Sequence, residues 1–369
     1  TYYWRVTAVN GSGSTVATNG GTSFTTSTLA NTFYISTTGN NSTGDGSQGN
    51  PWKTLAYACT QATAGKTIYI NAGTYVETQP SIVPVGVNIT GAGESNTILK
   101  AGNLGNGAGK EDFVGSLIQL ISPSYVVDQF SPPIAPANGN QTLSGFTIDG
   151  SGKTLKAGIW LQARNNVSIH HVTIKDCALR GAVACFGQKK SKEEPPYYIT
   201  GLKMYDMTFL NSGADLSDES TGNLCLAHTD GADIYNITIN DTHGYGIKFI
   251  FEGYYKNTKI HDCNITVNEQ DPLWTEDIII ELWNLGPGNE VYRLTGNTWM
   301  SFVNWKDTFN NPVSAGSHLK IYDCKIIDND GTSLKEAIEV ACSGTEVANC
   351  YIQNKGWGVA VWLQAQRKT

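Results

Sequence analysis

The sequence predicts an all-β solenoid, a parallel β-helix whose coils stack along one axis. Three observations carry that expectation. Glycine and aromatic residues are plentiful while charges are sparse, an apolar pattern recurs at a coil-length interval, and a second apolar strand follows each recurrence. Such a composition suits a β-rich extracellular protein better than a helical enzyme.

The repeat is plain when the segments are aligned as a column: IHHVTI (169–174), MYDMTF (204–209), IYNITI (234–239), IHDCNI (260–265), VYRLTG (291–296), IYDCKI (321–326) and VANCYI (347–352). Apolar residues recur at the first, fourth and sixth positions, and successive starts lie 26 to 35 residues apart, the length of a solenoid coil. A Gly/Asn/Asp turn follows, then a second strand: GIWLQ (158–162), GAVACF (181–186), NLCLAH (223–228), GIKFIF (246–251), DIIIELW (277–283), AIEVAC (337–342) and GVAVWLQ (358–364). Each coil is expected to bury its inward residues against the coils above and below, so that stability comes from stacking.

Ahead of the repeats, YYWRVTAVNGSGS (2–14) and SFTT (23–26) resemble the last two strands of a fibronectin type III domain. Residues 1–27 are too few for a sandwich and read as the C-terminal remnant of a preceding module, with STLAN (27–31) as linker. The next stretch carries YIS (34–36), a Gly/Asn-rich loop, PWKTL (51–55), TIYI (67–70) and GTY (73–75). It resembles the N-terminal entry of right-handed parallel β-helix proteins of the pectate-lyase-like superfamily. That resemblance implies a right-handed β-helix over 32–369, opened by a capping helix whose apolar face holds Trp52, Leu55, Ala58 and Cys59. It also implies a carbohydrate-active protein, without naming a substrate. The chain stops within a strand at VWLQAQRKT (361–369), which reads as C-terminal truncation because an uncovered edge invites aggregation.

The net charge of −7 offers no basic face to nucleic acid. No apolar run nears the roughly 20 residues of a membrane span. A secreted or cell-surface monomer acting on a polysaccharide is the expectation. The eight cysteines form no zinc-type CxxC pair. Cys263, Cys324 and Cys350 recur at one place in the repeat and read as small core side chains; a disulfide between Cys324 and Cys350, on neighbouring repeats, is the alternative.

Side chains alternate along a strand, so inward aliphatics in the second strand set fix what points out. The outward set is expected to include Trp160, Gln162, Cys225, Ala227, Lys248, Ile250, Ile279, Glu281, Trp283, Glu339, Ala341, Ala360 and Trp362. Its charged members, Lys248, Glu281 and Glu339, fall within four consecutive coils. An outward Glu is by default solvated surface, but the apolar neighbours of Glu281 favour a placed group. Trp160, Trp283 and Trp362 would stack on sugar rings, with His228 as a further substrate contact. Coils about 4.8 Å apart, with a two-position offset between Glu281 and Glu339, put their Cα atoms about 12 Å apart. That spacing suits an inverting glycoside hydrolase better than a retaining one.

Three functions compete. In a hydrolase, Glu281 and Glu339 form the acid/base pair. In a uronate polysaccharide lyase, Lys248 is the base. In a carbohydrate-binding or adhesin module, no chemistry occurs. No cofactor is firmly implied. Calcium is a possible partner of the lyase, with Asp230, Asp233, Glu276, Asp277 and ADLSDES (214–220) as acidic candidates, although none forms a defined loop. HTDGADI (228–234) and THGYGIKF (242–249) echo a polygalacturonase pattern but depart from it, since His228 replaces its Asn and no Asp-Asp pair follows. Of the other histidines, His170, His171 and His261 belong on the outer face of the repeat, and His243 lies nearer the proposed cleft.

Overall fold

A computed structural model describes residues 7–10, 13–16, 31–104, 115–122, 135–153, 155–187, 194–213, 221–241, 245–267, 278–304, 317–328, 337–353 and 360–363. The repeats form a parallel β-helix. Strands such as Lys203–Leu210 and Asp233–Asp241 pair in parallel with the same strand of the next coil, Met204 with Ile234 and Phe209 with Ile239. The second strands form a 10-stranded parallel sheet running from Ser81–Ile82 to Val361–Leu363. A three-stranded sheet of Ile199–Thr200, Thr229–Asp230 and Tyr255–Lys256 closes the cross-section over part of its length.

The three apolar positions of the repeat become stacked interior columns. Ile234, Ile237 and Ile239 are buried, as are the residues directly above and below them, Met204, Met207 and Phe209, then Ile260, Cys263 and Ile265. Between the first and second halves of each repeat the chain bends at a residue with φ near +50°: His171, Asp206, Asn236, Asp262, Arg293, Asp323 and Asn349. Asn and Asp tolerate that left-handed conformation better than other non-glycine residues, which explains their recurrence.

The residue before each of the first six of these bends points outward and builds a ladder of rings. His170, Tyr205, Tyr235, His261, Tyr292 and Tyr322 stack in order with centroids 4.6–5.1 Å apart and nearly parallel planes. His170, His171 and His261 are indeed on this outer face, and His171 is 57% exposed. Ring faces occupied by one another are not free to receive a sugar.

The helix spans Leu55–Gln61, with Thr54 as its N-cap and Leu55, Ala58 and Cys59 buried. It lies against Thr32–Ile35, Thr67–Ile70 and Ser81–Ile82, the first strands of the solenoid. Glu77 pins it there, its carboxylate accepting from Leu55 N at 2.9 Å. Among the described residues no helix is long and apolar enough to cross a membrane. Thr7–Asn10 and Gly13–Val16 pair as an antiparallel hairpin. No disulfide joins any of the eight cysteines.

Candidate functional site

The outward side of the 10-stranded sheet holds one continuous column. Parallel pairing runs Gln119–Trp160–Val183–Cys225–Lys248–Glu281–Ser301–Glu339–Trp362, one residue per coil. Lys248, Glu281 and Glu339 therefore share a single line, with Ser301 between the two carboxylates.

This corrects the two-position offset expected from the sequence. The strand Ile278–Trp283 carries a β-bulge: Ile278 pairs with Trp299 and Ile280 with Met300, leaving Ile279 as the extra residue. One position of the offset is that bulge, and the other comes from starting the strand at Asp277 instead of Ile278. The Cα atoms of Glu281 and Glu339 are thus two coil spacings apart, roughly 9–10 Å. The bulge also turns Ile279 inward, against expectation. Its side chain is fully buried and fills the space above Gly296, where a Cβ would stand 2.2 Å from Ile279 Cδ1.

Local contacts hold each polar group. Lys248 Nζ lies 3.6 Å from Glu281 Oε2, and their side chains are 6% and 14% exposed. The same ammonium sits 3.3 Å from the centroid of the Tyr245 ring. Trp283 Nε1 donates to Glu281 Oε1 at 3.1 Å, and its indole stacks on Phe249 at 3.9 Å and 17°. Ser301 Oγ donates to Glu339 Oε2 at 2.6 Å. A largely buried ion pair is a poor stabilising device, because desolvation offsets its attraction. A Lys–Glu pair maintained in such a place is therefore a candidate for function.

Other expected members fall outside this cluster. Trp160 and Gln162 were expected on an open face, but both are fully buried and bonded to each other, Trp160 Nε1 to Gln162 Oε1 at 3.1 Å. Trp160 also lies three coils from Lys248 along the column. Cys225, Ala227 and Ile250, also expected to face out, are likewise fully buried, so strand parity did not predict exposure. His228 is enclosed by Phe186 and Tyr254, and burial pushes its imidazole down to about 4. A buried neutral ring does not fit the expected substrate contact. Trp362, beside Glu339, is 44% exposed and does present its indole to solvent.

Sequence reading missed Ser301, Tyr245 and Phe249. Ser301 belongs to Trp299–Val303, a second strand that was not recognised, although the coil interval required one between 283 and 337. Tyr245 directly precedes the recognised GIKF strand. It lies three residues before Lys248, whose ammonium it meets, whereas Phe249 meets Trp283 of the neighbouring coil.

Among the described residues no group of three or more His, Cys, Asp or Glu could hold a metal ion. Asp230 accepts from Asn257 Nδ2 at 2.8 Å, and Asp233 contacts His261 Nε2 at 3.0 Å. His243, Glu276, Asp277 and 214–220 lie outside the described residues.

A family profile described as "Protein of unknown function (DUF1565)" matches residues 37–223. The Lys248–Glu339 cluster lies beyond that span. No curated protein matches the chain. Solved structures similar to it include an alginate lyase from Paenibacillus sp. str. FPU-7, at 10% identity over 84% of this chain and 96% of that one, with a TM-score of 0.43. The complex of XylC with xylose gives 10% identity, 86% and 69% coverage and a TM-score of 0.49. Pectin methylesterase PemA from Erwinia chrysanthemi gives 12%, 80% and 90%, and 0.39. At such identities and scores these likenesses carry no argument about activity. No match supports a fibronectin type III module at residues 1–27.

Proposed function

The chain belongs to the DUF1565 family, whose description assigns no reaction, and we propose from the site itself that it is a secreted or cell-surface glycoside hydrolase with Glu281 and Glu339 as its carboxyl pair. The observation that carries this reading is their shared outward column, two coils apart. Small rotations of side chains on Cα atoms roughly 9–10 Å apart reach carboxyl separations of about 6.5–9.5 Å, the inverting geometry. Lys248 and the Trp283 N–H both contact the Glu281 carboxylate and orient it, and Glu281 is assigned the role of activating water. Glu339 then protonates the leaving oxygen, and the exposed indole of Trp362 offers a face for the sugar.

The lyase reading needs Lys248 as a free base. Its amine is already engaged by the Glu281 carboxylate at 3.6 Å and by the Tyr245 ring, which weakens that role.

The test is a panel of neutral and uronate polysaccharides, with products followed by reducing-end release, ultraviolet absorbance and anomer-resolved NMR. Saturated products of inverted configuration are expected. Glu281→Gln and Glu339→Gln should each lower turnover on the order of 10²–10⁴-fold while retaining binding. Unsaturated, ultraviolet-absorbing ends would favour the lyase, and binding without turnover across the panel would favour a carbohydrate-binding module.

A further inference from the structure

Cys324 and Cys350 stand on consecutive coils, each directly after a left-handed bend residue, Asp323 and Asn349. Tyr351 N donates to Cys324 O at 2.8 Å and Lys325 pairs with Tyr351, which sets the two cysteines side by side. Adjacent strands lie about 4.8 Å apart, and disulfides span Cα separations of about 4.4–6.8 Å. Each thiol lies near backbone carbonyls of its own coil and the one before it, Cys324 Sγ near Tyr322 O and Val291 O and Cys350 Sγ near Ala348 O and Ile321 O. Cys263 occupies the equivalent place two coils below Cys324, but the coil between them carries Leu294 there, so stacking gives it no sulfur neighbour on that side.

We propose that Cys324 and Cys350 are a disulfide-forming pair, whose bond closes one full coil, residues 324–350, into a covalent ring. That ring carries Glu339, so the consequence for catalysis rests on the hydrolase reading, while the bond itself does not.

The chemistry is directional. The neighbouring Cys324 draws the Cys350 thiol below the usual thiol range, and Cys350 is the more exposed of the two. Its thiolate attacks one sulfur of a small-molecule disulfide and releases one external thiolate. Cys324 then loses its proton and attacks the Cys350 sulfur, releasing the second. Two protein thiols are oxidised to one S–S bond, and one external disulfide is reduced to two thiols.

The experiment treats the reduced chain with oxidised glutathione, digests it without reductant and maps the peptides by mass spectrometry. The expected result is a peptide linking Cys324 to Cys350, lighter by two hydrogens than the sum of its parts. It should revert with dithiothreitol and be absent from Cys324→Ser and Cys350→Ser. Two free thiols after treatment, a persistent glutathione adduct on Cys350, or linkage of either residue to another cysteine would overturn the proposal. Because the mapping needs no substrate, its failure and that of the hydrolase reading are distinguishable.

Discussion

At the scale of single residues, burial decides what each polar group can do. Trp283 looked from its sequence position like a sugar platform, yet one face lies on Phe249 and its N–H is directed at Glu281. Trp283→Phe keeps a ring for that stack and removes the donor. A hydrogen bond to a charged group contributes about 1.5–3 kcal/mol, so turnover should drop at least about tenfold, with a smaller change in substrate binding. Equal losses in both would return Trp283 to the role of platform. His228 makes a stability prediction instead. Its value is lowered from 6.5 to about 4, so between those pH values the unfolded chain binds the proton that the folded one refuses. Stability is therefore complete above about pH 6.5 and falls as pH drops towards 4, by about 3 kcal/mol from this residue. In denaturant titrations across that window His228→Phe should show a shallower slope; an unchanged slope would place the titration elsewhere. Neither role was legible in the sequence, because alternation assigns a side chain to a face without saying what covers that face.

At the scale of elements, the interior columns were readable and the bulge was not. Ile234, Ile237 and Ile239 announce themselves because a stacked coil demands the same apolar positions every time. Ile279 sits in a run of isoleucines where any residue could be the extra one, so the pattern cannot show which is displaced. Its partner does carry a signal: Gly296 replaces the large apolar residue found at the sixth position of most repeats, and that vacancy is what Ile279 fills. Gly296→Ala should therefore overpack the core by about 1–3 kcal/mol. Adding Ile279→Val removes the Cδ1 methyl that stands in the way, and the double variant should recover much of the loss. Because the bulge sets the register of Glu281, Gly296→Ala should also reduce turnover, although it lies across the core from the site. Additive destabilisation in the double variant would show that the two residues do not share this space.

At the scale of the whole molecule, stability is approximately a sum over neighbouring coils, so unfolding need not be all-or-none. Lys203–Leu210 and Asp233–Asp241 lie between fully packed coils, and their inward Met204, Met207, Phe209, Ile234, Ile237 and Ile239 are at most 1% exposed. Toward the last described strands the packing thins: Ile352 is only partly buried, and Trp362 and Leu363 are 44% and 66% exposed. Hydrogen exchange of this chain should thus be graded along the axis. Amides of Tyr351–Gln353 and Val361–Leu363 should exchange first, and those of the central strands should exchange last, at rates approaching global unfolding. The carboxyl pair lies on the C-terminal side of those central strands, since Glu281 is one coil beyond Lys248 and Glu339 is next to the last described strand. Mild denaturant should accordingly abolish turnover before the central strands lose protection. Uniform protection from Ile159–Gln162 to Val361–Leu363, with activity and fold lost together, would instead mean that the coils unfold as a single cooperative unit.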